Sequence, residues 1–131
     1  MKLEDQVCSL ELAKKLKELG VKQESLYAWN KQRFGTHLLG NNPNYDCHII
    51  DEWIAAFTVA ELAEMLPDEI ERKWLTIMKS KNVWEISYDF VDNGEHWDSF
   101  YDVEDSSQAN AIAKVLIHLI ENKLIEVPNG Y

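Results

Sequence analysis

The segment DSSQANAIAKVLIHLIEN at 105–122 constrains this chain most. Ala109, Ile112, Ala113, Leu116, Ile117 and Ile120 recur at the i, i+3, i+4, i+7 spacing of one helix face. Asp105, with Gln108 three residues on, has the form of a capping box, which satisfies two backbone donors that a helix start leaves orphaned. A face this apolar has to be covered, so the other elements are expected to pack against it.

At 131 residues the chain has room for one domain and little more. Its apolar share of 46% is enough for a core that needs no metal or disulfide staple. Cys8 and Cys47 then read as two free thiols. The first residues are charged and no apolar h-region follows, so no secretory leader is expected. No apolar run approaches the ~20 residues of a membrane span. A cytoplasmic chain without a membrane role is the simplest expectation.

The net charge of −10 argues against a protein that neutralises phosphates. The acid is unevenly spread. Asp89, Asp92, Glu95, Asp98, Asp102, Glu104 and Asp105 follow one another without a Lys or Arg, whereas Lys14, Lys15, Lys17, Lys22, Lys31 and Arg33 gather near the front. Such a run either solvates the chain or docks on a basic surface.

Residues 9–20 predict a helix with both ends marked. Ser9 suits the N-cap and Gly20 the C′ position; Val21 would pack on Leu16 as in a Schellman ending. Leu12, Leu16 and Leu19 form the stripe. Leu26-Tyr27-Ala28-Trp29 predicts a short strand, with Tyr27 and Trp29 on one face. Residues 35–46, rich in Gly, Asn and Pro, read as a long polar loop. Residues 47–57 read as a strand, although period 2 and period 3.6 are not separable there. Thr58 with Glu61 makes a capping box, Phe57 with Leu62 the hydrophobic staple, and Pro67 ends the helix between them.

Then comes a meander. Residues 73–79 alternate, with Trp74, Thr76 and Met78 on one face. Residues 83–90 alternate more strongly, placing Trp84, Ile86, Tyr88 and Phe90 opposite Glu85, Ser87 and Asp89. Asp92-Asn93-Gly94 marks a tight hairpin, and 97–103 would be the returning strand. The whole reads as α+β, a single domain over 1–131, its helices packed on one face of an antiparallel sheet.

VCSLELAKKLKELGVKQESLYAW (7–29), AFTVAELAEML (56–66) and AKVLIHLIENKLI (113–125) resemble a group of small bacteriophage and prophage proteins. The likeness touches about a third of the chain, spread along a single domain's length. It implies a gene on a mobile element and a setting inside a bacterial cell. It brings no activity, cofactor or site residue with it.

The candidate chemistry is sparse. Asp46, Cys47, His48 and Asp51 are zinc-type ligands, but no second Cys/His pair stands at ligand spacing. Cys8 or Cys47 could pair with His37, His96 or His118 as a nucleophile, yet a free cysteine is usually a small buried hydrophobe. His118 lies off the main stripe of its helix, as a partly exposed packing residue would. Asp92, Glu95, His96, Asp98 and Asp102 crowd the second hairpin at no EF-hand spacing, and nothing singles out a glycosidase pair. Thus no catalytic residue, metal or cofactor is expected.

The leading expectation is a non-enzymatic phage or prophage accessory protein that binds a host or phage protein. Tyr27, Trp29 and Trp97 would supply aromatic contacts, with Asp92, Glu95, His96 and Asp98 beside them. One alternative is a DNA-binding regulator with a helix-turn-helix-like segment through 24–33, although Ala13 and Gly20 stand too far apart for that motif. Another is a small-molecule binder or enzyme using the 34–50 loop.

Overall fold

In the computed structural model, which describes residues 2–31, 37–41, 53–92 and 95–128 (backbone alone over 90–92 and 95–101), both ends of the first helix are set as expected. Helix α1 is Leu10–Glu18, and the Ser9 side chain accepts the Leu12 N–H. Gly20 takes φ +92°, a conformation costly for any residue with a Cβ. Its N–H reaches the Lys17 carbonyl and that of Val21 the Leu16 carbonyl, the bond pair of a Schellman ending. A short 3-10 turn, Leu3–Asp5, precedes α1 and was not expected.

Among the described residues the chain is not helical again until α2. Strand β1 (Tyr27–Lys31) is central in a three-stranded antiparallel sheet, between β2 (His37–Asn41) and β3 (Trp53–Ala55). No recognition helix therefore follows the Gly20 turn, and the helix-turn-helix alternative lacks its second helix. Leu26 lies just outside β1 and is exposed. The expected loop at 35–46 has to be corrected, since 37–41 is a strand paired along its whole length with β1. Gly40 stands opposite Ala28 there, so its lack of a side chain is a fit to the sheet rather than a turn signal. Of the strand expected at 47–57, the part at 53–55 is present; 42–52 lies outside the described residues.

Helix α2 (Val59–Met65) carries the full capping box. Glu61 N–H donates to Thr58 Oγ1 at 3.2 Å, and Thr58 N–H donates to Glu61 Oε1 at 2.8 Å. The Glu61 carboxylate also receives the Ser25 hydroxyl and the Leu26 N–H, so it ties the approach to β1 onto α2. Phe57 and Leu62 are both fully buried, as a staple requires. Leu66, before Pro67, is extended.

The meander has one strand more than expected. β4 (Glu69–Ile70), β5 (Lys73–Ser80), β6 (Val83–Asp92) and β7 (Glu95–Asp105) form an antiparallel sheet in that order. Left-handed residue pairs close two of its hairpins: Glu71 and Arg72 (φ +50° and +67°), then Lys81 and Asn82 (φ +49° and +66°). Both have the φ signs of a two-residue type I′ turn. Only Asn82 is a residue commonly found there, so the Glu-Arg turn left little trace in composition. The hairpin at 92–95 pairs Asp92 with Glu95, and β7 starts two residues before the expected position.

Helix α3 (Gln108–Glu121) packs on β6 and β7, and α1 and α2 pack on α3. Ala111, Val115 and Leu119 are buried along with the six residues of the expected stripe. A helix apolar on nearly all sides is a central element rather than a surface one. Its cap also differs. Ser107 is the N-cap and accepts the Asn110 N–H, while Asp105 accepts the Ser107 N–H and an ion pair from Lys114 at 2.6 Å. The Asp105–Gln108 box is therefore replaced by a serine cap that an aspartate braces from behind.

Candidate functional site

Residues opposite one another in antiparallel strands share a face, and the register fixes what each face of the four-stranded sheet carries. Ile86 and Tyr88, paired with Ile77 and Leu75, face α3. Tyr88 is fully buried, its hydroxyl donating to the Pro67 carbonyl at 2.7 Å, and burial pushes its ionisation well above the usual tyrosine range. The outer face runs from Trp74, Thr76 and Met78 on β5, through Asp89, Ser87 and Glu85 on β6, to Glu104 and Asp102 on β7.

This outer face is graded. Trp74 is 52% and Met78 50% exposed, an unusual state for side chains of that size. Ser87 and Asp89 are buried, although they lie on the face opposite Ile86 and Tyr88, with the Ser87 hydroxyl donating to Asp89 Oδ2 at 3.2 Å. At the β7 side, carboxylate oxygens of Glu85, Asp102 and Glu104 lie within 4.8 Å of one another. A hydrogen bond with Asp102, then the negative charges of Asp102, Glu104 and Asp89, hold the Glu85 carboxyl above its usual range. Three one-oxygen donors make about half of the six to eight that a calcium ion takes, so the trio is a concentration of negative charge before it is a cage.

Trp84 shares the other face with Ile86 but is only half-buried, with the Lys79 ammonium 5.3 Å from its ring centre. It lines a cavity of about 440 Å³ between the first turns of α2 and α3, with Gln6, Thr58, Ser107 and Gln108. Among the described residues Asp5 is its one ionisable lining group. The hydroxyls of Thr58 and Ser107 already accept helix-start N–H groups.

Tyr27 and Trp29 are half-buried, and Trp29 packs on the core with its indole N–H donating to the Cys8 carbonyl at 3.2 Å. Trp29 is thus a structural brace between β1 and the segment before α1. The side chains of Asp92, Glu95, His96, Trp97 and Asp98 lie outside the described residues, although their backbone belongs to the β6–β7 hairpin. Asp46, Cys47, His48 and Asp51 fall wholly outside them. Cys8 is fully buried, and burial pushes its thiol up to about 11. It stays protonated at neutral pH, which removes it as a nucleophile. His118 is half-buried, as expected.

No family model, curated protein or solved structure matches this chain. Among the described residues no helix is long and apolar enough to cross a membrane.

Trp74 and Met78 are the surface residues that sequence reasoning passed over. Their alternation with Leu75 and Ile77 was visible. Alternation says which residues share a face, however, and not which face is covered.

Proposed function

We propose that this protein works by binding another protein, without catalysis of its own, through the outer face of the β5 strand. The observation that carries this reading is the half-exposed pair Trp74 and Met78, four residues apart on one strand face. Aromatic and methionine side chains left in water are what interface centres are made of. The acidic hairpin at 92–98 continues the sheet beyond the Trp74 end and belongs to the same proposal as a steering surface. The resemblance to phage and prophage proteins supports a host or phage protein as the partner, inside a bacterial cell.

The test is affinity capture with two baits, the natural chain and a Trp74→Ser/Met78→Ser variant. A protein held by the first and lost by the second, with both baits folded by circular dichroism, is the expected result. A partner retained equally by both would remove this face from the account. Salt-sensitive retention of duplex DNA by the natural chain would favour the regulator alternative instead.

A further inference from the structure

The surface that carries the protein-binding reading is also an unfinished sheet edge. The two-residue turn at Lys81 and Asn82 makes Ser80 and Val83 a hydrogen-bonded pair. Such pairs recur at every second residue, so Ser80, Met78, Thr76 and Trp74 bond to β6. Lys79, Ile77 and Leu75 then turn their N–H and C=O groups the other way. Leu75 verifies the phase, because its N–H donates to the Asp68 carbonyl at 2.9 Å. Strand β4 pairs with Lys73 and Trp74 and goes no further. Among the described residues nothing pairs with the outward backbone groups of Ile77 and Lys79.

Two other edges, β3 and β7, carry a guard. On β3, the outward Ala55 N–H donates to Gln23 Oε1 at 2.8 Å and the Trp53 carbonyl accepts from Lys17 Nζ at 2.9 Å. On β7, Asp102 and Glu104 add negative charge to the edge strand. Among the described residues the outward groups of Ile77 and Lys79 on the β5 edge have no such side-chain partner, and the charge beside them is positive. Beside that edge stand three exposed large apolar side chains, Trp74, Ile77 and Met78. Its charge is also the reverse of the chain's. From Arg72 to Trp84 there are four cations, Arg72, Lys73, Lys79 and Lys81, and no carboxylate, in a protein whose net charge is −10.

We propose that the β5 edge at 76–80 accepts an extended segment of the partner protein as a fifth strand, with apolar side chains lying beside Trp74 and Met78 and carboxylates meeting Lys79 and Lys81. This rests on the protein-binding reading and specifies its partner. Outward N–H and C=O groups on alternate residues match a peptide backbone, which offers both donors and acceptors. A phosphate backbone offers acceptors only. A second copy of β5 would set Lys79 and Lys81 near their own equivalents, so charge disfavours that occupant.

The experiment titrates the full chain with a short blocked peptide alternating valine and glutamate, reading amide shifts and hydrogen exchange by NMR. Controls are the valine–lysine peptide, a valine–glutamate peptide N-methylated on alternate residues, and a single-stranded DNA oligonucleotide. The expected result is slower exchange at the Ile77 and Lys79 amides with the first peptide, binding about tenfold weaker with the lysine peptide, and none with the methylated one. Ile77→Pro, which removes an outward donor and leaves the β6 pairing intact, should abolish the response; the methylated peptide makes the same point without altering the fold. Unchanged exchange at both amides, equal binding of the lysine peptide, preferential binding of the oligonucleotide, or a dimer formed through β5 would each overturn the proposal. Capture separates the two levels. A partner lost by the Trp74→Ser/Met78→Ser bait but kept by Ile77→Pro leaves protein binding standing and removes strand addition. A partner kept by both removes both.

Discussion

The β3 and β5 edges face the same problem and meet it differently. Each presents outward backbone groups where its sheet ends. At β3 the solution is local and intramolecular: Gln23 takes the Ala55 donor and Lys17 fills the Trp53 acceptor. At β5 the strand runs on past its short neighbour, with Ile77 and Met78 exposed and, among the described residues, nothing paired with the outward backbone groups of Ile77 and Lys79. Exposed edges are a hazard that folds usually suppress. One suppressed edge and one open edge in the same chain point to use rather than neglect.

Both edges hang on one core, and Leu116→Ala sets the scale. Leu116 is fully buried, so its truncation should cost ~2–5 kcal/mol in urea unfolding. A loss near zero would mean that α3 is not the central element. Gln23→Ala comes next. It strands the N–H of a fully buried Ala55, and an unsatisfied buried donor costs about 1–3 kcal/mol. If the urea midpoint does not move, the guard on β3 is ornamental and the contrast between the edges collapses. Thr58→Ala removes one half of the α2 box and should cost ~1 kcal/mol. Glu61→Ala should cost more, because it also releases Ser25 and Leu26. At β5, Met78→Thr should lie within about 0.5 kcal/mol of the natural chain, as an ordinary exposed position does. A larger loss there would show Met78 to be held by the fold and not offered to a partner.

Acid titration separates two carboxylates that face each other across neither edge but sit in the same β6–β7 pair of strands. Burial alone would raise Asp105, but the Lys114 ammonium and the Ser107 and Ser106 N–H groups outweigh it and hold the carboxyl below its usual range. A depressed folded value stabilises the protein above the unfolded pKa, and that contribution is lost as pH falls through the folded one. Glu85 is shifted upward, so its contribution is present below the unfolded carboxylate pKa and disappears as pH rises through the folded value. Asp105→Asn should therefore flatten the acid limb of a stability–pH curve. Glu85→Gln should cost nothing at neutral pH and stabilise if anything. Urea midpoints across an acid-to-neutral series check both signs.

Several local signals are legible in the sequence because they act within a few residues. Ser9, Gly20, Thr58 with Glu61, and Pro67 each do their work within a few residues, so their outcome does not depend on the rest of the fold. Tertiary competition undid the rest. Asp105 looks like an N-cap, yet Lys114, nine residues on in the second turn of α3, draws it into an ion pair and leaves the cap to Ser107. Residues 37–41 carry turn-forming composition, but pairing with β1 makes them a strand. The same limit applies to the candidate site. Trp29 and Trp74 both alternate with apolar neighbours in sequence, and only packing makes the first a core brace and the second a surface contact.

The contrast between the edges can be measured directly by amide hydrogen exchange in the free protein. The account predicts that the Ile77 and Lys79 amides exchange fast, as unbonded strand amides do, while Met78, bonded to β6, is protected. It also predicts protection at Ala55, whose N–H is held by Gln23, and loss of that protection in Gln23→Ala. Slow exchange at Ile77 and Lys79 without any partner, or exchange at Ala55 as fast as at Ile77, would contradict it.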